Sequence, residues 1–144
     1  MSRRVPALVN HVEPDNPREP YDCAIRALAC YSGETCADVI RVAARVVKDG
    51  GKNGLTVPAI LRIAALADMP LRVRRTFDPH EDYGIVVVGW KGLKDRHAAV
   101  LRDGIVIDRQ TVWPWDAWHN RQTRNGKTSA GVAPIVAWLL VAKE

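Results

Sequence analysis

Residues 97–108 read His-Ala-Ala-Val-Leu-Arg-Asp-Gly-Ile-Val-Ile-Asp, a stretch with a clear local structural signal. Two apolar runs flank Asp103-Gly104, a dipeptide that is a strong signal for a two-residue β-hairpin turn. Because side chains alternate between the two faces of a strand, this turn puts His97 and Asp108 on one face as diagonal cross-strand neighbours. The stretch therefore predicts an antiparallel hairpin that brings an imidazole next to a carboxylate.

The shared face of this hairpin is where we expect chemistry. Its predicted members are His97, Ala99, Leu101, Val106, Asp108 and Gln110. Ala99, opposite the aspartate, is small enough to leave room for the imidazole. A carboxylate at one ring nitrogen fixes the tautomer and leaves the other nitrogen for a second partner. A slip of one residue in register would separate the two groups, which would then be ordinary polar side chains of an exposed sheet.

The segments before the hairpin carry helical patterns, and those around it carry strand patterns. Helices are predicted from Cys23 to the Gly33 turn, from a Thr35 cap to Gly50-Gly51, and from a Thr56 cap to Ala67. Strands are predicted at 71–74, 85–88, 97–101, 105–107 and 133–141. Four prolines within residues 1–20 predict an extended N-terminal arm. This order indicates a single α+β domain over residues 1–144, with N-terminal helices packed on a C-terminal antiparallel sheet.

The composition is that of an ordinary globular protein, with 144 residues, 47% hydrophobic and 26% charged. No apolar run is long enough to cross a bilayer, and the N-terminus lacks the apolar stretch of a secretory signal. We therefore expect a cytoplasmic protein without membrane contact. The net charge of +5 permits nucleic-acid binding. The basic residues are dispersed, however, and Arg72, Arg74 and Arg75 form the tightest group, so a solvated surface is favoured over a nucleic-acid site.

The three cysteines, Cys23, Cys30 and Cys36, lie close together in the sequence. We expect reduced thiols in a reducing compartment. Their spacing matches no common zinc pattern, so the sequence predicts neither a metal site nor a cofactor. Cys30 and Cys36 are expected to be packing residues of the helices.

Cys23 differs from the other two because it begins the first predicted helix, directly after Asp22 as cap. A helix N-terminus favours the thiolate, which is the nucleophilic form of cysteine. This position alone is still more typical of a packing residue. The His97–Asp108 pair shifts the interpretation, because an imidazole beside a thiol forms a thiolate–imidazolium pair that later protonates a leaving group.

Two segments resemble a known family. Residues 21–29, Tyr-Asp-Cys-Ala-Ile-Arg-Ala-Leu-Ala, and the later residues 97–108 resemble papain-like cysteine peptidases, above all small phage-encoded relatives of the bacteriocin-leader-processing peptidases. The resemblance implies a papain-like fold and cleavage of a peptide or related amide bond in a peptide or protein substrate. It also implies a triad in which Cys23 is the nucleophile, His97 the general base and Asp108 the group that orients the histidine. For a phage-encoded protein, the expected location is the host cell cytoplasm or the virion.

The sequence departs from this family before the cysteine. Papain-like enzymes usually place a glutamine there, whose amide helps to form the oxyanion hole, and this chain has none. Asn16 is the nearest amide, and Asn16, Gln110 and Trp113 are the candidate oxyanion or binding residues. The three tryptophans of segment 113–118 are expected to be core, with a substrate groove as the alternative. The missing glutamine and the basic charge motivate a second hypothesis, a catalytically inactive papain-like module of a phage that binds a host protein or nucleic acid.

Overall fold

The computed structural model describes residues 23–48, 54–90, 96–109, 111–125, 127–128, 131–132 and 135–143. Within these residues the helices are α1 (Cys23–Ser32), α2 (Cys36–Ala43), α3 (Val57–Leu66) and α4 (Trp115–Asn125). The strands are β1 (Leu71–Arg74), β2 (Gly84–Trp90), β3 (Arg96–Arg102), β4 (Ile105–Asp108), β5 (Thr111–Pro114), β6 (Lys127–Thr128), β7 (Gly131–Val132) and β8 (Ile135–Ala142). The predicted arm over residues 1–20, the Asp22 cap, and the candidates Asn16 and Gln110 lie outside the described residues.

A six-stranded sheet in the order β1-β8-β2-β3-β4-β5 forms the centre of the molecule, and every neighbouring pair in it is antiparallel. Helices α1 to α3 pack on one face, where their apolar side chains meet Ile85, Val87 and Val100. Helix α4 lies on the other face, where Trp118 packs against Leu101 and neighbouring valines. The predicted α+β class with helices on an antiparallel sheet is confirmed, and α4 is an additional helix on the second face.

The β3–β4 hairpin has the predicted turn and register. Asp103 and Gly104 have φ values of 50° and 80°, as a two-residue turn of type I′ requires. The paired residues are Val100 with Ile107, Leu101 with Val106, and Arg102 with Ile105. Side chains alternate as expected, because Ala98 and Val100 face the helices α1 to α3 and Ala99 and Leu101 face α4. His97 and Asp108 therefore lie on the α4 side of the sheet.

A second hairpin follows at once and was not predicted. Asp108 pairs with Thr111, so residues 109–110 connect β4 and β5. Arg109 has a φ of 55°, in the left-handed region that residues other than glycine adopt mainly in turns. Arg-Gln is not a typical turn dipeptide, and the sequence therefore gave no local signal for it. Arg109 therefore lies in the connection between β4 and β5, next to Asp108 in the chain.

The predicted helix starts at the two threonine caps are confirmed. Thr35 accepts a hydrogen bond from the Asp38 N–H at 3.1 Å, and Thr56 accepts one from the Ala59 N–H at 3.2 Å. The predicted end of α2 at Gly50-Gly51 is wrong, because the helix ends at Ala43. After Ala43 the chain forms tight turns that include i to i+3 hydrogen bonds. In the part of the chain that is described, none of the helices has the length and apolar character needed to span a membrane.

Candidate active site

The imidazole of His97 and the carboxylate of Asp108 meet as the hairpin predicts. His97 Nε2 lies 2.7 Å from Asp108 Oδ2. The two side chains are only 19% and 12% exposed, so water screens the interaction weakly and the hydrogen bond is strong. Because the carboxylate occupies Nε2, the other ring nitrogen, Nδ1, is left for the thiol.

Trp118 of α4 completes the surroundings of the carboxylate. Its indole Nε1 donates to Asp108 Oδ2 at 2.8 Å, and its ring stacks on the His97 ring at 6.4 Å between centroids. Trp118 is 0% exposed, which agrees with the predicted core role of the tryptophans. Sequence reasoning missed its hydrogen bond to Asp108. The available signal was that a buried indole N–H needs an acceptor, and Asp108 is the polar residue at the adjoining strand end.

Cys23 reaches the pair from the opposite side of the sheet. It is the first residue of α1, is half-buried, and lies where α1 packs against β3. Its thiol hydrogen-bonds with His97, and the backbone N–H of Ala98 donates to its sulfur. The structure thus brings together the three residues that the sequence predicted as a triad, Cys23, His97 and Asp108.

The three groups shift one another's pKa. Burial raises the pKa of the Cys23 thiol, but the hydrogen bond and charge of His97, the Ala98 N–H and the Arg109 guanidinium outweigh it, so the net pKa is lowered. Burial lowers the pKa of His97, whereas its bonds to Asp108 and Cys23 raise it to about 10. The pKa of Asp108 is below its usual range, because the hydrogen bond and charge of His97 outweigh burial. These directions favour a thiolate, an imidazolium and a carboxylate in a row.

The other two cysteines behave differently. Cys30 is 1% exposed and Cys36 is 3% exposed, and both lie in the core beside α1 to α3. Burial raises the pKa of the Cys30 thiol to about 11, with no compensating partner charge among its causes. Both residues have the packing role expected from the sequence, and Cys23 is the thiol whose surroundings favour ionisation.

A cleft of about 440 Å³ opens beside the His97–Asp108 pair. Trp113, a predicted binding residue, is half-buried and lines this cleft. The guanidinium of Arg121 lies 5.1 Å from the centroid of the Trp113 ring, a cation–π contact between β5 and α4. The structure thus places Trp113 next to the predicted catalytic pair, at the edge of the core that its neighbour Trp118 fills.

No known family model matches the chain. A comparison with curated proteins also finds no match. Within the described residues, no three His, Cys, Asp or Glu side chains gather in a way that could hold a metal ion. The geometry of the site places a thiol, an imidazole and a carboxylate in sequence, an arrangement in which an imidazole can activate a thiol.

The shifted pKa of His97 leads to a direct prediction. We expect its imidazole to stay protonated through neutral pH and to titrate near pH 10, followed by NMR of the ring protons. In the variant Cys23→Ser the anionic partner is lost, so the pKa of His97 should fall below its value in the native chain while Asp108 still holds it up. A native His97 that titrates near its ordinary pKa of about 6.5 would contradict the ion-pair geometry.

Proposed function

We propose that this chain is a papain-like cysteine hydrolase that cleaves a peptide or related amide bond. One observation carries the proposal. The Cys23 thiol hydrogen-bonds with His97, whose Nε2 lies 2.7 Å from Asp108 Oδ2, and the pKa values of thiol and imidazole move toward the ion pair. This is the arrangement that nucleophilic catalysis by cysteine requires.

Three features support the papain-like assignment. The nucleophile stands at the start of a helix that packs against an antiparallel sheet. The histidine and aspartate lie on neighbouring strands of that sheet, in the chain order Cys, His, Asp. Residues 21–29 and 97–108 also carry the resemblance to that family. The chemistry needs a reduced thiol, which fits the cytoplasm expected from the sequence, and it needs no cofactor.

The first half of the reaction is acylation of the cysteine. The Cys23 thiolate attacks the carbonyl carbon of the substrate, and the new oxyanion is stabilised by backbone N–H groups of the first turn of α1, which have no acceptor within the helix. His97 then gives its proton to the leaving nitrogen, so the C–N bond breaks as the tetrahedral intermediate collapses. The products of this half are a thioester on Cys23 and an amine.

The second half is hydrolysis of the thioester. His97 is now neutral, and the Asp108 carboxylate holds its Nε2–H so that Nδ1 can take a proton from water. The resulting hydroxide adds to the thioester, the C–S bond breaks, and the acid product leaves. The thiolate and the imidazolium are thereby restored, while Asp108 stays ionised throughout.

The pH dependence of Cys23 alkylation tests the first requirement. At pH 6.5 we expect iodoacetamide to label Cys23 at least about tenfold faster in the folded chain than in the urea-unfolded chain, where the thiol has its ordinary pKa of about 8.5. Rates are read by mass spectrometry of the Cys23 peptide. Cys30 should label only on unfolding, because it is buried and its pKa is raised. Equal folded and unfolded rates for Cys23 would contradict an activated thiol.

Hydrolysis itself is tested with an unfolded protein such as casein as substrate. New peptide termini should form in the presence of the native chain and be absent with Cys23→Ala, which retains the helix and the fold. A reactive Cys23 that releases no new termini from any tested amide would contradict the hydrolase. In that case the inactive binding module is the better account of the geometry of the site.

A further inference from the structure

Among the described residues that line the cleft beside the His97–Asp108 pair, guanidinium groups outnumber carboxylates. Arg96 of β3, Arg109 of the β4–β5 turn and Arg121 of α4 all border it. Asp108 is the only acid among its described lining residues, and Asp108 Oδ2 already accepts hydrogen bonds from His97 and from the α4 indole. A concave site with more guanidinium than carboxylate groups is suited to an anionic ligand.

Arg96 borders the cleft, but its guanidinium is directed elsewhere. It crosses strand β2 above Gly89, where an added Cβ would lie 2.7 Å from the Arg96 Cδ. Its guanidinium ends 5.6 Å from the centroid of the Trp138 ring on β8. Arg96 is therefore directed toward the far side of β2, away from His97 and Asp108.

The other two arginines stay at the cleft. The cation–π contact with Trp113 holds Arg121 at the wall of the cleft. The N–H groups at the edge of its planar guanidinium point outward in the plane of the group and can donate to a ligand. Arg109 follows Asp108 in the chain, and its charge is close enough to lower the pKa of both Asp108 and Cys23. Arg109 thus lies within electrostatic reach of the reacting sulfur as well as of the cleft.

The position of the cleft relative to His97 and Cys23 indicates which side of the cleaved bond would lie in it. His97 lines the cleft, whereas Cys23 is not among the described lining residues. In amide cleavage the acyl group becomes bonded to the sulfur, and the amine receives its proton from the imidazole. The imidazole side of the site therefore faces the leaving amine, which in a peptide is the segment that follows the cleaved bond.

We propose that Arg109 and Arg121 bind a carboxylate on the leaving-amine side of the substrate. In a peptide this is an acidic side chain, or the free C-terminal carboxylate, shortly after the cleaved bond. A carboxylate can accept two parallel hydrogen bonds from a guanidinium, and a second guanidinium supplies further donors and charge. The proposal rests on the hydrolase proposed above, because it names that enzyme's substrate class.

A charged and a neutral alkylating agent test the pair at the sulfur. Iodoacetate and iodoacetamide both react with the Cys23 thiolate, so the ratio of their rates cancels changes in thiolate population and reports the local potential. At low ionic strength we expect Arg109→Gln to lower the iodoacetate-to-iodoacetamide ratio about fivefold. The matched control Arg102→Gln removes one positive charge from the other end of β3 and should leave the ratio within about twofold. Equal ratios in all three chains would overturn the role of Arg109.

Binding by the cleft is tested separately in Cys23→Ala, so that failed catalysis cannot obscure it. N-acetylglutamate α-amide offers a side-chain carboxylate, N-acetylglycylglycine offers a C-terminal carboxylate, and N-acetylglutamine amide is the neutral control. We expect at least one of the acids to shift the NMR signals of the Trp113 indole and the Arg121 Nε–H, the neutral amide to shift neither, and Arg121→Gln to weaken binding about tenfold. The acid that binds identifies the source of the carboxylate. Equal shifts with acids and amide would overturn the proposal even if Cys23 is reactive.

Discussion

Replacement of His97 by alanine is expected to slow the alkylation of Cys23 at pH 6 by about a hundredfold. The His97 hydrogen bond and charge are the largest of the influences that lower the pKa of the thiol, and burial opposes them. Without the imidazole, burial is opposed only by the Ala98 N–H and the Arg109 charge, so the pKa of Cys23 rises and less thiolate is present at pH 6. The iodoacetamide rate, read by mass spectrometry from pH 5 to 10, checks this.

The shape of the pH profile separates this effect from a loss of fold. Because the variant's thiol ionises at higher pH, its deficit relative to the native chain should be largest at low pH and should shrink as the pH rises toward 10. The variant His80→Ala removes an exposed histidine and should leave the profile unchanged. A His97→Ala deficit that is the same at every pH would point to altered access to the sulfur and would contradict the ion pair.

The variant Asp108→Asn extends this test to the third residue. The hydrogen bonds and charges of Asp108 and Cys23 together raise the pKa of His97 to about 10, and this variant keeps the size of the Asp108 side chain but removes its charge. Asp108 Oδ1 is buried and has no hydrogen-bond partner among the described residues. An asparagine NH₂ group at this position would therefore find no acceptor among them. We expect a labelling profile between those of the native chain and His97→Ala.

Replacement of Trp118 by alanine is expected to lower the free energy of unfolding by about 3–5 kcal/mol, measured by urea denaturation. Trp118 is 0% exposed and is the fully buried side chain of α4 in the cluster that contains Val86, Val88 and Leu101. Its removal leaves a cavity and also deprives Asp108 of an indole donor at 2.8 Å. Loss of the α4 anchor should in addition displace the cleft wall.

The variant Trp118→Phe separates packing from hydrogen bonding. Phenylalanine fills much of the same volume but has no N–H, so we expect a smaller loss of about 1–2 kcal/mol. The indole N–H also contributes to keeping the Asp108 pKa low, so both variants should raise the pKa of this carboxyl group. An alanine variant that loses less than about 1 kcal/mol would contradict a packed role for this ring.

The sequence alone was sufficient for features that depend on neighbouring residues. Asp103-Gly104 specifies a type I′ turn because both positions need positive φ, and strand alternation then puts His97 and Asp108 on one face. Thr35 and Thr56 mark helix starts because their side chains accept from N–H groups three residues on. The position of Cys23 at the start of α1 follows from equally local signals.

Other features were decided by contacts between segments far apart in the chain. Helix α4 has a mostly polar sequence. It packs on the sheet because the Trp118 ring contacts apolar side chains there and its indole N–H donates to the Asp108 carboxylate. The β4–β5 turn at Arg109 lacks a turn dipeptide and exists because β5 pairs with β4. The arginine cleft needs β3, β5 and α4 together. Local pattern thus determined the His97–Asp108 pair and the place of Cys23 on its helix. The indole partner of the carboxylate and the charge of the cleft arise only when packing brings together side chains that are distant in the chain.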